Sequence, residues 1–374
     1  MEPKQQMDRL GGMRPQAAPA RDRWRLGGWA GPSWLQQRRS TAIAALAILG
    51  ALIFPLLGPD SYWIRVAGWV GLYAMLANGL NIVVGFAGLL DLGYVAFYGL
   101  GSYTFAILDS THFNLHASFL LGLCAAIAVT ATAGVLLGIP VLRLRGDYLA
   151  IVTLGFGEMV YILLVNLDRP FNLTNGVNGI ITIDKPSFFG FSFDDPVRFY
   201  YLIIVFLLLV VTVSHRLSKS RLGRAWVALR EDETVAAAMG INTTTTKLWA
   251  FGLGASFAGA VGSISAAWQG SVFPDSFLFT ESVLILSMVI LGGMGSIPGA
   301  ILGAAILVVI PELLRSLAVY RLLVYGLILM VMMIFLPQGI IRSEQRKREM
   351  MGEMEAAEAA EETPAVVAEE EPVG

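Results

Sequence analysis

Residues 220–247 read SRLGRAWVALREDETVAAAMGINTTTTK, and they lie between two apolar runs, 199–215 and 248–269. Each run approaches the ~20 residues that an α-helix needs to cross the hydrocarbon core of a bilayer. The segment between them is charged, yet it keeps helical spacing. Oil, then a polar helical stretch, then oil again is the pattern of a chain that crosses a membrane, emerges and returns.

The rest of the chain repeats that pattern. Of 374 residues, 56% are hydrophobic and 14% charged, where soluble domains have roughly half and a quarter. The charges gather at the ends and in three loops. The apolar runs between them are 41–57, 64–84, 92–108, 117–142, 148–166, 199–215, 248–269, 281–292, 298–314 and 320–336. They predict an all-α fold, a polytopic transmembrane helical bundle of about ten spans. The 40 glycines and the Ala-rich runs suit close packing, because helices in lipid associate through small residues. The single cysteine, Cys124, lies in an apolar run and reads as a small core residue.

Charge sets the orientation, since Lys and Arg favour the cytoplasmic side. Residues 1–40 carry Lys4, Arg9, Arg14, Arg21, Arg23, Arg25, Arg38 and Arg39, which predicts a basic cytoplasmic N-terminal segment. Its Trp24, Trp29 and Trp34 either rest at the membrane surface or belong to a flexible tail. Loop 167–198 has more acids than bases and falls outside; loop 216–247, rich in Arg, falls inside. Arg342, Arg346, Lys347 and Arg348 place the other terminus inside too. Residues 41–342 are thus the membrane domain, and 343–374 an acidic tail expected to be disordered. Arg315 and Arg321 fall on the wrong side, with Glu312 a partner for one of them.

Two Gly-rich junctions without Lys or Arg interrupt the spans, VVGFAGLLDLG (83–93) and GGMGSIPGA (292–300). Interrupted segments in corresponding halves point to a transport pathway and to an inverted repeat. Two tight helix turns would read the same way. Candidate pathway or gating residues are Asn81, Glu158, Gly292 and Gly293. Asn78 and Asn81 suit bonds between helices. Asp91, Asp147 and Glu281 fall at span ends, within reach of water. Glu158 sits mid-span, where a carboxylate either serves an ion-coupled carrier or faces the bundle interior and accepts hydrogen bonds.

Enzyme chemistry is not indicated. His112 and His116 are four apart but have no third ligand nearby, so no metal site is expected. There is no phosphate-binding G-x-x-x-x-G-K-[ST] loop and no nucleophile–base pair. No cofactor and no nucleic acid are implied.

Residues 220–247 divide into two helical pieces. In the first, Ala225, Trp226 and Leu229 share a side, with Arg224 and Arg230 directed elsewhere. Asp232 then offers an N-cap and Glu233 an acid in the first turn of the second piece. Gly240 suits the left-handed position that ends it, with Ile241 following. The Thr run 243–246 is placed to cap the next span. The apolar side must cover lipid, the spans beneath or a partner. The mixed charge of REDE favours protein over anionic lipid.

Five stretches together resemble the permease subunits of branched-chain amino acid ABC transporters. They are GLNIVVGFAGLLDLGYVAFYGLGSYTFAIL (79–108), VLRLRGDYLAIVTLGFGEMV (141–160), GRAWVALREDETVAAAMGIN (223–242), ILGGMGSIPGA (290–300) and LPQGI (336–340). Order and spacing agree as well, over roughly residues 41–342, and the second stretch is similar to the LivM-type member of the permease pair. The resemblance implies a heterodimer with a second related permease, two cytoplasmic ATPase subunits, a periplasmic substrate-binding protein, and location in the bacterial inner membrane. It implies that residues 223–242 are the coupling segment, with Ala237 and Gly240 shaping the turn in the ATPase groove and Arg224, Arg230 and Glu233 in polar contacts around it. The implied substrates are leucine, isoleucine and valine; relatives move urea, amides and other amino acids. The external loop departs from the family, reading TNGVNGI where a Pro-containing turn is expected.

Overall fold

The computed structural model describes residues 49–317 with short interruptions (59, 111–117, 142–143, 145, 169–171, 184–185, 189–190 and 194), and residues 326–327, 330, 334 and 339–341. The chain divides into two units, Met1–Ala51 and Leu52–Gly374. Of the first only residues 49–51 are described, and they are helical. The segment 1–40, the tail 343–374, His112 and His116, Arg321 and most of the run 320–336 lie outside the described residues.

The second unit is built from helices. After a 3-10 turn at Phe54–Leu57, α1 runs Ser61–Leu80 and passes into a π-helical turn, Asn81–Phe86. Helix α2 is Tyr94–Leu108, α3 Phe119–Val141, α4 Asp147–Asn166 and α5 Pro196–Ser218. Two short helices follow, α6 Arg221–Glu231 and α7 Glu233–Ala238. Then come α8 Thr243–Gln269, α9 Phe279–Gly292 and α10 Ile297–Leu313.

Among the described residues six stretches are long and apolar enough to cross a membrane: Ser61–Phe86, Phe119–Val141, Asp147–Asn166, Pro196–Ser218, Thr243–Gln269 and Pro274–Gly292. Helices α2 and α10 are apolar but shorter. Each starts just after a Gly-rich junction, and that is why it is short: the backbone spends those residues turning. Every apolar run between 64 and 314 is a helix, with its ends moved by a few residues. Among the described residues the regular structure is helical apart from short two-residue strands. In the loop after α4, β1 (Ile180–Ile181) is followed by β2 (Ser187–Phe188) and β3 (Phe191–Ser192), which pair with each other. Strand β4 (Ser271–Val272), just beyond α8, pairs with β1, Ile180 opposite Val272.

Helices α1 and α8 form the centre, each with 83% of its most apolar window buried, against 33% for α3, α4 and α5. Helix α8 packs chiefly on α2 and α3. At the α2–α8 crossing Gly101 faces the backbone of Gly259, where a Cβ would collide. Close backbone approach is the means by which helices gain contact in lipid, where burial of apolar surface drives nothing. Cys124 faces outward rather than into the core, because α3 lies at the periphery and exposes that side.

Residues 219–247 mark one end of the bundle. The paired strands mark the other, where Ser110 also bridges to Ile183.

Candidate functional site

The polar segment folds as its capping chemistry dictates. Ser220 caps α6 by accepting from the Gly223 amide at 3.2 Å. Asp232 caps α7, its Oδ1 accepting from Thr234 and Val235 at 2.7 and 3.0 Å. At the far end Gly240 has φ +84°. Its amide donates to Ala237 and that of Ile241 donates to Ala236, at 3.0 and 3.1 Å. This pair of bonds closes the helix C-terminus. The cap of α8 is Asn242, which accepts from the Thr245 amide at 3.1 Å. The Thr run lies inside the first turn instead, Thr246 bonding back to the Asn242 carbonyl.

The apolar side of α6 covers the bundle's own spans. Trp226 is fully buried, and its Nε1 donates to the Thr246 carbonyl at 2.9 Å. Glu233 reaches the buried Lys247 ammonium at 2.7 Å, joining α7 to the first turn of α8. Lys247 is the residue that sequence reasoning missed, together with the bond from Trp226, whose place on the apolar side was expected, to Thr246. Nothing local signals them, since each acts across a turn. Arg224 is exposed and donates to the Lys219 carbonyl at 3.0 Å. Beside the exposed Thr234, α7 turns apolar side chains outward: Val235 is 58% exposed and Met239 79%, with Ala237 and Gly240 also exposed.

The structure also joins this segment to both Gly-rich junctions. Arg230 donates from Nη1 to the Gly85 carbonyl at 2.6 Å, and its stem lies against Gly88. Gly85 belongs to the π turn that Asn81 opens. Such turns leave backbone groups free for unusual partners and recur at functional sites. Asn81 Oδ1 accepts from the Gly295 amide at 2.8 Å, in a space that a Cβ on Gly85 would fill. Gly292 meets the backbone of Gly299, and Gly293 lies under Gly339. Ile340 and Ile341 donate to the carbonyls of Leu291 and Gly292, at 2.9 and 3.0 Å. Asn81, Arg230, Gly292 and Gly293 are thus gathered at one end of the bundle.

Other candidates are placed differently. Asn78 donates to Ala74 in its own helix rather than across helices. Asp91 is buried, not at a wetted span end. The junction containing it is covered by α4, where Thr153 receives the Leu92 amide, and Asp91 itself receives the Gly93 amide. Glu158 is half-buried on peripheral α4 and makes no hydrogen bond among the described residues, so the bundle interior does not hold it. Glu312 pairs with Arg315 at 3.5 Å. In the loop TNGVNGI, the Asn175 side chain donates to the Gly179 carbonyl at 2.9 Å, so Asn and Gly form the turn without proline.

Residues 62–336 match a family described as the branched-chain amino acid transport system permease component. The chain is 46% identical over 301 residues to the high-affinity branched-chain amino acid transport system permease protein LivM of Salmonella typhimurium, covering 74% of this chain and 69% of that one. The Escherichia coli K12 protein of the same name gives the same identity and coverage. The LivH permease protein of Salmonella typhimurium is 28% identical over 283 residues, 72% of this chain and 91% of that one. No solved structure matches.

Proposed function

The chain belongs to the branched-chain amino acid transport permease family, and from that premise we propose that it is the transmembrane permease subunit of an ATP-driven importer for leucine, isoleucine and valine. Its second permease is a related chain of the LivH kind, a relative that this chain itself resembles. Two cytoplasmic ATPase subunits and a periplasmic binding protein complete the assembly. The chain lies in the bacterial inner membrane with about ten spans, an inverted repeat and both termini cytoplasmic.

One observation carries the mechanism. Helix α7 is closed at both ends by its own caps, presents Val235 and Met239 outward, and connects inward through α6 and Arg230 to the π turn of α1. On this reading α7 sits in the groove of an ATPase subunit, with Ala237 and Gly240 at the turn and Arg224 beside it. Glu233 and Arg230 act inward. Glu233 fixes α7 to α8, and Arg230 passes motion to the junctions at Gly85 and Gly295. Closure of the ATPases on ATP moves α7, and the spans rock between outward- and inward-open states around a central cavity.

Reconstitution tests this. Vesicles holding this chain, its second permease, the ATPases and the binding protein should take up leucine only with ATP. Met239→Glu should release the ATPases and stop uptake while both permeases stay inserted. Uptake by this chain without any ATPase would overturn the reading.

A further inference from the structure

The end of the bundle that carries the paired strands holds a cavity of about 310 Å³, lined by Arg65, Trp69, Asp195, Phe199, Trp268 and Gln269 among others. That size lies at the lower end of the roughly 300–1,000 Å³ typical of small-molecule sites. Its wall is aromatic and mutually packed. Trp69 and Trp268 have ring centroids 5.4 Å apart, and Phe199 stacks on Trp268 at 6.0 Å. Gln269 is held by a bond to Ser265 at 2.9 Å, and Ser265 in turn meets Tyr98 at 2.7 Å.

The charges are arranged unusually. Arg65 pairs with no carboxylate among the described residues. Among the described residues the Asp195 carboxylate receives only the Val197 amide, at 3.4 Å, as the N-cap of α5. A cation and an anion therefore share one mouth without neutralising each other. A purely anionic ligand would be attracted by one and repelled by the other, and so would a purely cationic one. A ligand carrying both charges satisfies both, and rings beside them suit an apolar body.

We propose that this cavity is a subsite for a zwitterionic amino acid with an apolar side chain, its carboxylate on Arg65, its ammonium on Asp195 and its side chain against Trp69, Phe199 and Trp268. The inference rests on the importer reading, which places substrate entry at this end. A phosphatidylethanolamine headgroup carries the same pair of charges, and the test separates the two.

The complete importer in vesicles is assayed for leucine uptake. Arg65→Gln and Asp195→Asn should each raise KM by about tenfold, as expected for one charge-assisted contact, with kcat within about twofold of wild type. Asn still caps a helix, so the second variant keeps α5 intact. Arg65→Lys should recover most of the loss. Leucinamide lacks the carboxylate, so its inhibition constant should not change in Arg65→Gln. An unchanged leucine KM in both variants overturns the proposal. So does an equal loss for leucinamide, which would indicate a docking defect, or an effect that vanishes in vesicles without phosphatidylethanolamine. Wild-type vesicles that take up no leucine would overturn the importer reading instead. Equilibrium binding of radiolabelled leucine to vesicles holding the two permeases without the binding protein, weakened about tenfold in Arg65→Gln relative to wild type, then still decides the subsite, and equal binding by both overturns it.

Discussion

The guanidinium of Arg230 donates to the carbonyl of Gly85 at 2.6 Å, across 145 residues of sequence. The bond connects the polar helical segment to the π turn that ends the central helix α1. Replacing Arg230 with Ala should lower ATP-driven uptake about tenfold, the loss of one charge-assisted bond. ATPase subunits should still copurify, because α7 is untouched. Lys at 230 should recover part of the rate, since an ammonium donates but lacks the planar fork. Uptake and copurification measured on the same preparation check this.

Gly240 has φ +84° and open space where a side chain would stand, so backbone conformation alone restricts it. A β-branched residue there costs about 1–2 kcal/mol or more. Gly240→Val should loosen α7 and weaken retention of the ATPases, while Gly240→Asn, which tolerates the left-handed region, should be milder. Insertion should be normal in both. Retention of ATPases on the immobilised permease pair distinguishes them.

Glu233 and the buried Lys247 should be energetically coupled. Glu233→Ala removes a carboxylate that lies against a buried ammonium and should cost about 3 kcal/mol. Lys247→Met should cost less, because Glu233 is the more exposed partner. The double variant should be more stable than the sum of the singles predicts, by about 1–3 kcal/mol. Thermal unfolding of the detergent-solubilised chain measures all three.

At the α2–α8 crossing, Gly101→Ala drives a methyl group into the Gly259 backbone. Overpacking of this kind costs about 1–3 kcal/mol. Because both helices lie in the densest part of the bundle, the effect should appear as a lower melting temperature and poorer yield of folded protein, whereas Gly155→Ala, with nothing near its Cβ, should be neutral.

How much of this was legible before the structure differs by feature. Helices at every apolar run from 64 to 314 follow from length and hydropathy, and the caps Asp232 and Gly240 from local chemistry. The cap of α8 was misassigned to the Thr run because Asn242 and the threonines all have capping side chains, and only the backbone angle separates them. Asp91 was expected near water. Position at a span end says nothing of what folds over it, and here α4 covers it. The Arg230–Gly85 and Asn81–Gly295 bonds bring together residues that no periodicity relates. Their side chains, Arg230 as donor and Asn81 as acceptor, are recognisable as polar groups in need of partners, but the partners are backbone atoms, and backbone atoms carry no sequence signal.

Helix α7 has both ends tied by its own chain before anything docks on it. Little conformational freedom is left to lose on association, so a small contact suffices for a specific fit. The time taken to form that contact is then governed by diffusion and orientation rather than by folding. On the importer reading, a receptor surface of this kind would let ATPase subunits leave and rejoin readily.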